Sequence, residues 1–352
     1  MSATGEITED RPVGTVLAWS RELVGPALRQ TVERLPESVR AVAGYHFGWY
    51  DEQGRPTDAD HGKAIRPTLA LLAAEAVGGL AVDAVGAAVA VELVHNFSLL
   101  HDDVMDRDTT RRHRPTAWTV FGTGPAILAG DALLMAAFDT LATSLSPAAG
   151  DATAFRDRAQ TLSAAVLALV DGQAVDLAFE DRDDVDLVEC LAMAGHKTGA
   201  LLGCAAGLGA ASGGGDPDQI QRLRRFGEEL GLAFQLSDDL LGIWGDPAVT
   251  GKPVHSDLRN RKKSLPVVAA VTSGTPAGRE LAELYLGQQP LSNPELEHAA
   301  QLVETAGGRA WAQQEADQRL ALALDQLRAV DPVERAATEL AALAGLAARR
   351  DH

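Results

Sequence analysis

Three aspartates lie within five positions at the end of an apolar segment: Asp102, Asp103 and Asp106 in "SLLHDDVMD". On a helix, residues four apart share one face about 6 Å apart, so Asp102 and Asp106 would repel one another. The helix dipole adds to this cost near a C-terminus. A hard cation offsets both effects, and Mg²⁺ suits one or two carboxylates completed by phosphate and water. For this cluster alone, a solvated acidic helix end is the alternative.

A second pair, Asp238 and Asp239, lies near the end of another apolar segment, "FGEELGLAFQLSDDLLGIW", and Asp246 follows it. Segments this apolar belong in the centre of a helical bundle. Buried unpaired carboxylates are costly, so both helices are expected to open into a polar cavity at one end. If the two clusters face each other, they could hold several Mg²⁺ ions around one diphosphate.

Basic side chains stand beside glycines and near the aspartates. Lysine and arginine, together with backbone N–H groups, are the ordinary means of holding phosphates. The candidates are Lys63, Arg66, Arg111, Arg112, Lys197, Lys252, Lys262 and Lys263. Together they predict two phosphate sites, although each lysine alone could be a solubilising surface charge. His95 precedes Asp102 by two helical turns, so it shares that face and could donate to phosphate. His101 is expected to be structural.

Composition narrows the class of protein. Hydrophobic residues make up 46% of the 352 residues and aromatic residues only 5%, a mixture that favours helix over sheet. The net charge of −18 argues against nucleic acid as a partner. Cys190 and Cys204 form no disulfide framework. The polar N-terminus resembles no signal peptide, and no uninterrupted apolar run reaches the length needed to span a bilayer, which predicts a cytoplasmic protein without a membrane span.

Apolar positions recur at the helical spacing of three and four from residue 13 onward. Residues 1–12 are expected to form a disordered tail, and residues 13–350 a single all-α domain. Predicted helices cover 13–30, 34–49, 63–77, 80–106, 126–146, 151–178, 184–211, 217–245, 263–273, 292–305, 307–328 and 332–349.

Together these motifs resemble the trans-isoprenyl diphosphate synthase (polyprenyl synthetase) family, and within it the bacterial geranylgeranyl diphosphate synthases. "DDVMDRDTTRRHRP" resembles the first aspartate-rich motif, and "FQLSDDLLGIWGDPAVTGKPVHSDLRNRKKSLP" resembles the second. "GKAIRP", "ELVHNFSLLHDD", "AGDALL", "DGQAVDLAFE" and "GHKTGALLG" match in order, so the resemblance is strong over residues 60–270. It implies an all-α isoprenoid-synthase-type helical bundle around a deep central cavity, and a homodimer.

The resemblance also implies a reaction. A Mg²⁺-dependent prenyltransferase would condense isopentenyl diphosphate head-to-tail with an allylic diphosphate (dimethylallyl, geranyl or farnesyl) to a linear all-trans prenyl diphosphate. About three Mg²⁺ ions, or Mn²⁺ instead, would act at each site. The implied metal residues are Asp102, Asp106 and Asp238, with Asp103 and Asp239 in support.

Other residues carry implied roles as well. Arg111, Lys197, Lys252 and Lys262 would bind the allylic diphosphate, and Lys63, Arg66, His95 and Arg112 the isopentenyl diphosphate. Thr198, Gln235 and Gln173 would line the substrate cavity. Asp102, Asp106, Asp238, Lys197 and Arg111 are the predicted catalytic residues.

The sequence departs from the family pattern at three positions. Ala64 stands where arginine is common, Gly242 replaces the last aspartate of the second motif, and His113 replaces a glycine. Phe97 and Ser98 occupy positions that, in the family, help to form the bottom of the cavity in which the prenyl chain grows. A single aromatic residue there, without an insertion in "DDVMD", resembles synthases of geranylgeranyl diphosphate (C20), while C15 or longer products stay open.

Two alternatives remain at this point. A class I terpene cyclase on the same fold would ionise an allylic diphosphate without isopentenyl diphosphate. Lys63, Arg66 and His95 argue against it, and Ala64 argues weakly for it. A non-catalytic subunit of a heteromeric synthase would be marked by loss of the aspartates, which are present.

Overall fold

The computed structural model describes residues 11–57, 62–144, 152–247, 253–286 and 289–348, and these are predominantly α-helical. Helices α1 to α10 span Val13–Glu33, Glu37–His46, Ile65–Ala76, Val85–Met105, Ala117–Phe121, Thr123–Thr143, Ala152–Glu180, Leu187–Ala194, Ala200–Ser212 and Pro217–Trp244. Helices α11 to α16 span Ser256–Arg259, Leu265–Val271, Pro276–Leu286, Asn293–Thr305, Gly308–Arg328 and Glu334–Ala348. The all-α prediction is confirmed.

Short elements complete the described chain. A 3₁₀ turn, Ala81–Ala84, leads into α4, and a π-helical turn, Gly195–Gly199, joins α8 to α9. Strands β1 (Thr110–Arg111) and β2 (Arg114–Pro115) pair antiparallel. The π-helical turn contains Lys197 and strand β1 contains Arg111, two residues expected to bind phosphate.

The structure divides one predicted helix and contains a longer helix that was not predicted. The helix expected at 184–211 is divided, because the π-helical turn separates α8 from α9. Helix α13 was missed, because "TSGTPAG" predicts a break there. Pro276 stands at the first position of this helix, where its missing N–H costs no hydrogen bond, so the proline starts a helix.

Two residues of the predicted N-terminal tail, Arg11 and Pro12, lie within the described residues. Residues 1–10 lie outside the described residues, as does Lys252. Arg11 lies inside them, and its Nε donates to Oε1 of Glu339 at 2.7 Å. The single domain over residues 13–350 stays a prediction.

The chain divides into two compact units. The first comprises Met1–Leu162, Cys204–Arg224 and Gln326–Leu343, and the second comprises Ser163–Gly203, Arg225–Asp325 and Ala344–His352. The first aspartate cluster belongs to the first unit and the second aspartate cluster to the second unit.

Helix α4 is the central helix of the first unit. It packs against α3 and α6, and its residues 87–94 are all buried. Close packing continues at Gly209 of α9, where an added Cβ would clash with the backbone of Ala70 in α3. Because α4 packs against neighbouring helices on several sides, the backbone that carries the aspartates at its C-terminal end is held in place.

Helix α10 carries the second aspartate cluster, and apolar packing in the second unit holds it in place. Leu236 belongs to a buried cluster with Phe179 and Leu265, and Ile243 belongs to another with Leu258. Leu236 and Ile243 are fully buried, so both sides of the Asp238–Asp239 pair are anchored in apolar cores.

Three described helices are long and apolar enough to cross a membrane by length and composition. They are Ala81–Met105, Thr123–Thr143 and Phe155–Glu180, with the most apolar windows 67%, 39% and 39% buried. The expectation that no apolar segment is long enough is therefore wrong on length and composition. The absence of a membrane span stays a prediction.

Candidate active site

The first aspartate cluster has one buried and two more accessible carboxylates. Helix α4 ends at Met105, Asp106 is exposed, and Asp102 is partly buried. Asp103 is only 1% exposed, and its Oδ1 accepts a hydrogen bond from Nε of Arg111 at 2.7 Å. Burial raises the pKa of Asp103 to about 6, against the lowering effect of Arg111. Asp103 therefore anchors the cluster, while Asp102 and Asp106 face outward.

The β-ribbon places the arginines that follow. The turn between its strands contains Arg112 and His113, with φ of 49° and 60°. Such left-handed pairs form the tightest hairpin turns and favour glycine, which gives the His113 departure a structural consequence: local strain. Arg114 holds the ribbon by donating to the carbonyl oxygens of Tyr45 and Tyr50 at 3.1 and 2.9 Å.

Arg112 lies against the turn that carries Lys63. Gly62 has a φ of 78°, and a Cβ there would be 2.7 Å from Nη2 of Arg112. The next residue is Lys63, which is exposed, and Ala64 is left-handed with a φ of 53°. Gly62 therefore brings the Lys63 turn and the Arg112 guanidinium together, as a shared phosphate site requires.

A buried polar network supports these cations. Nδ2 of Asn96 donates to Oε1 of Glu92 at 3.0 Å. Burial raises the pKa of Glu92, opposed most by Arg66. Burial and the charges of Arg66 and Arg112 hold the pKa of His95 well below its usual range, so its imidazole is neutral. Sequence reasoning missed Glu92 and Asn96; a carboxylate within the apolar run "AVAVELV" was the available signal.

His46 is a further residue that sequence reasoning missed. It lines a cavity of about 20 Å³ together with Asp103 and Arg111, room for one water molecule. His46 Nε2 and Asp103 Oδ2 are buried and have no hydrogen-bond partner among the described residues. Burial and the charges of Arg112 and Arg111 lower the pKa of His46 to about 3. His46 lies at the end of α2 and belongs to none of the motifs identified in the sequence, so no sequence signal pointed to it.

The second aspartate cluster is anchored by neutral donors. Asp239 is 4% exposed and accepts from the N–H of Leu265 and from Nε2 of Gln235, both at 2.8 Å. Oγ1 of Thr198 donates to Oε1 of Gln235 at 2.7 Å. Burial raises the pKa of Asp239 to about 7, although Lys262 opposes it. Asp238 is exposed.

Two lysines of the second unit share acidic neighbours. Nζ of Lys197 lies 2.5 Å from Oδ2 of Asp176 in α7. Burial lowers the pKa of Lys262, but Asp239, Asp176 and Asp257 outweigh this effect and raise it, so Lys262 is charged. The π-helical turn carries Lys197, and such turns are frequent at functional sites.

Close packing fixes this lysine and a nearby amide. A Cβ on Gly172 of α7 would lie 2.5 Å from the backbone nitrogen of Lys197, so only glycine permits this approach. The next residue, Gln173, is buried, and neither polar atom of its amide has a hydrogen-bond partner among the described residues. A buried amide of this kind is suited to a bound polar group.

The residues expected to set chain length lie on different faces of α4. Phe97 packs edge-on against His101 with 4.8 Å between ring centroids. His101 in turn contacts Gly130 and Ile127 of α6, which agrees with its structural role. Ser98 precedes Asp102 by one turn and donates to the carbonyl of His95 at 2.8 Å. The small residue is therefore on the aspartate face and the aromatic one toward α6.

Neither cluster forms a complete metal cage. In the part of the chain that the structure describes, no three carboxylate, imidazole or thiol groups converge to hold a metal ion. The accessible groups are carboxylates, whereas both cysteines are buried. Such oxygen donors fit Mg²⁺, which binds through one or two carboxylates and completes its shell with phosphate and water.

Comparisons with known proteins agree with these features. The family model for polyprenyl synthetase matches residues 49–303. The chain belongs to the polyprenyl synthetase family. Among curated members, a (2E,6E)-farnesyl diphosphate synthase from Mycobacterium tuberculosis is 48% identical over 94% of this chain and 91% of its own. A geranylgeranyl diphosphate synthase from the same species is 45% identical over 96% and 93%.

Solved structures of polyprenyl synthetases share the fold. A polyprenyl synthetase from Streptomyces coelicolor has a TM-score of 0.89 and 48% identity, with 95% of this chain and 99% of that chain covered. A geranylgeranyl pyrophosphate synthase from Corynebacterium glutamicum, complexed with isoprenyl diphosphate and magnesium, has a TM-score of 0.81 and 25% identity over 97% and 100%. The protein is thus a prenyltransferase of the trans-prenyl diphosphate synthase type with the isoprenyl synthase helical-bundle fold.

Proposed function

We propose that the protein condenses isopentenyl diphosphate with an allylic diphosphate, in a Mg²⁺-dependent reaction, to geranylgeranyl diphosphate (C20). The observation that carries the proposal is the cation set of the first unit. Arg112 lies against the turn that presents Lys63, next to the neutral His95. A second diphosphate site beside the aspartates is what a condensing enzyme needs and a terpene cyclase does not.

In the first unit, Lys63, Arg66 and Arg112 bind the diphosphate of isopentenyl diphosphate, and His95 donates one hydrogen bond to it. A neutral imidazole suits this role because it carries a single N–H donor. Arg111, anchored on Asp103, is directed toward the allylic diphosphate.

In the second unit, Lys197 and Lys262 neutralise the allylic diphosphate as it leaves, and Lys252 is assigned the same role by its motif. The Thr198 hydroxyl donates to Gln235, so its oxygen lone pairs are available to a developing allylic cation. The double bond of isopentenyl diphosphate attacks that cation, and the released pyrophosphate accepts the final proton.

Mg²⁺, when bound, neutralises the diphosphate charge and improves it as a leaving group. Asp102, Asp106 and Asp238 are assigned as its ligands because they are the more accessible carboxylates of their clusters. Asp103 and Asp239 are assigned to orient those ligands, since both are buried and hydrogen-bonded.

The proposed length of the prenyl product rests on two residues of α4. The small Ser98 one turn before Asp102 leaves the aspartate face open, which supports a product longer than C15. Phe97 supports a limit on further growth. The relatives do not decide between the two lengths, because farnesyl and geranylgeranyl synthases are nearly equally similar.

We further propose a cytoplasmic homodimer. Helix α6 exposes Leu128 (59%) and Met135 (66%), an apolar surface that a second copy would cover. Coverage by protein suits this helix better than lipid, because Asp131 and Asp139 also lie on it.

The test is a product assay with purified protein, Mg²⁺, isopentenyl diphosphate and farnesyl diphosphate. We expect pyrophosphate release and a C20 prenyl diphosphate by chromatography, and no reaction without isopentenyl diphosphate. Equal pyrophosphate release without isopentenyl diphosphate, together with a hydrocarbon product, would establish the cyclase instead. A C15 end product from dimethylallyl diphosphate would overturn the chain length alone.

A further inference from the structure

His46 is the last residue of α2 and is assigned to neither diphosphate site. Burial of its ring, together with the charges of Arg112 and Arg111, lowers the pKa of His46 to about 3, so the imidazole is neutral. A side chain that is surrounded by cations and carries no charge itself contributes either its shape or its hydrogen bonds. The surroundings of its Nε2 atom favour hydrogen bonding.

Two buried polar atoms belong to residues that line one small cavity beside this ring. They are Nε2 of His46 and Oδ2 of Asp103, and neither has a hydrogen-bond partner among the described residues. His46, Asp103 and Arg111 all line the cavity, which has a volume of about 20 Å³. A polar cavity of this size can hold one water molecule that bonds to two or more protein groups. Because buried polar groups are costly without a partner, these two atoms call for such a bridge.

The other oxygen of the same carboxylate holds Arg111. Oδ1 of Asp103 accepts a hydrogen bond from Nε of Arg111 at 2.7 Å, and Asp103 is 1% exposed. Since the two oxygens belong to one rigid carboxylate, a group that holds Oδ2 also fixes the direction in which Oδ1 meets Arg111. With Nε used in this way, the terminal NH₂ groups of Arg111 are the donors that can meet a diphosphate.

His46 also has neighbours on the side of the isopentenyl diphosphate site. Asn96 acts on the pKa of His46 in the direction opposite to the arginines, and Nδ2 of Asn96 donates to Oε1 of Glu92 at 3.0 Å. His46 in turn acts on His95 through its charge. A role in ordering His95 is therefore the alternative to a role in ordering Arg111, and the two roles affect different substrates.

We propose that one water molecule in this cavity joins Nε2 of His46 to Oδ2 of Asp103, and that His46 is thereby a positioning residue for Arg111. The neutral ring donates from Nε2 to the water, and the water donates to the carboxylate. Both oxygens of Asp103 are then held, so the Arg111 guanidinium keeps one direction. The consequence for the allylic diphosphate rests on the proposed function, whereas the water and its two contacts do not.

The first experiment is a crystal structure of the wild-type protein at a resolution that shows ordered water. We expect density for one water in the cavity, about 2.7–3.2 Å from both Nε2 of His46 and Oδ2 of Asp103. An empty cavity, a water that contacts only one of these atoms, or a direct contact between His46 and Asp103 would overturn the proposal.

The second experiment measures the two Michaelis constants. His46→Phe keeps a ring and removes its hydrogen bonds, so we expect KM for the allylic diphosphate to rise about tenfold and KM for isopentenyl diphosphate to stay within about twofold. His46→Gln keeps an N–H donor and should bring the allylic KM back to within about threefold of wild type. Unchanged constants, an equal rise in both, or no recovery in His46→Gln would overturn the proposal.

The next residue, Phe47, provides the matched control. Its ring stacks on Trp49 with 4.6 Å between ring centroids, and Phe47 is 5% exposed. Phe47→Leu should lower the midpoint of thermal unfolding, because it removes buried packing at the same end of α2, and should leave the ratio of the two KM values unchanged. A ratio that shifts as much as in His46→Phe would show that loosening of this helix end moves Arg111, and would count against the His46 hydrogen bond.

Failure of the proposed function would be visible separately. If the wild-type protein makes no prenyl diphosphate, the proposed function fails, and the affinity for pyrophosphate with Mg²⁺, measured by calorimetry, replaces the KM values. His46→Phe should then weaken this affinity about tenfold, and Phe47→Leu should keep it within about twofold of wild type. Equal affinities in wild type and His46→Phe would refute the role of His46, and the crystal structure decides the water in either case.

Discussion

Asp103 and Asp239 are the second members of two aspartate pairs, and they are 1% and 4% exposed. Asp103 is held by the guanidinium of Arg111, a charged group that is itself assigned to substrate. Asp239 accepts its hydrogen bonds from a backbone N–H and a carboxamide, neither of which carries charge, and the nearby cation Lys262 acts on it through its charge. The buried aspartate of the first unit is therefore hydrogen-bonded by a cation that is assigned to substrate. The buried aspartate of the second unit is hydrogen-bonded by neutral groups.

The difference between these donors indicates which aspartate cluster substrate binding can change. A diphosphate that attracts Arg111 competes with Asp103 for the same donor, so binding can alter the first cluster. In the second cluster, the N–H of Leu265 is not expected to bind phosphate in exchange, because Leu265 lies in an apolar core. Diphosphate binding should therefore perturb Asp103 more than Asp239.

The strongest test removes one accessible aspartate from each cluster. Asp102→Ala and Asp238→Ala should each lower turnover by about 10³-fold or more, because each loses a metal ligand. Helical content by circular dichroism should stay unchanged. Asp218→Ala, an exposed aspartate at the start of α10, is the control and should retain normal turnover. Near-normal turnover in either cluster variant would remove that cluster from the metal site.

The anchors themselves can be compared by stability. Arg111→Gln should lower the free energy of unfolding by about 2–3 kcal/mol, because it leaves the buried Asp103 without its cation. Gln235→Leu should cost less, since Asp239 keeps the Leu265 donor. Arg182→Gln, which breaks an exposed ion pair, is the control and should leave the free energy of unfolding almost unchanged. Urea denaturation measures all three, and equal costs for Arg111 and Gln235 would refute the contrast.

The pH dependence of stability should separate the two buried carboxyls. Both pKa values are raised, to about 6 for Asp103 and about 7 for Asp239, so each group stabilises the fold in its protonated form. That stabilisation is fully present below the unfolded pKa near 3.8 and is lost as pH rises through the folded pKa. Without Mg²⁺, the free energy of unfolding should therefore contain a loss from pH 4 to 6 for Asp103 and from pH 4 to 7 for Asp239.

Two isosteric variants isolate these contributions. Asp103→Asn should remove the part of the loss that ends near pH 6, and Asp239→Asn the part that ends near pH 7. Urea denaturation between pH 4.5 and 8 with a chelator measures both. Stability curves parallel to the wild type would show that neither carboxyl titrates in this range.

The smallest expected effect concerns product length. Ser98→Phe should shorten the product by one isoprene unit, because a ring then stands one turn before Asp102. Phe97→Ala should lengthen the product, with turnover within about threefold of wild type, since it removes the ring packed against His101 without touching the aspartates. Chromatography of the prenyl products measures the chain length for both variants. Unchanged products would show that other residues limit the length of the product.

Much of the architecture could be predicted from local signals. The helix positions followed from apolar spacing, and the candidate ligands followed from aspartate spacing, since both depend on residues close in sequence. Helix α13 was missed because its first residue is proline, which breaks a helix in the interior but starts one at its N-terminus. Asn96 was missed because an uncharged side chain on an apolar helix gives no signal of burial.

What the sequence by itself determined is the helical class and the family, and it supplied the candidate residues for binding metal and phosphate. Only the tertiary structure decided which aspartates are buried, which donor holds each, and that His46 and Asp103 line one cavity. The physical reason is distance along the chain. Helical periodicity acts over a few residues, whereas the contacts Arg111–Asp103 and Leu265–Asp239 are made by packing of separate elements.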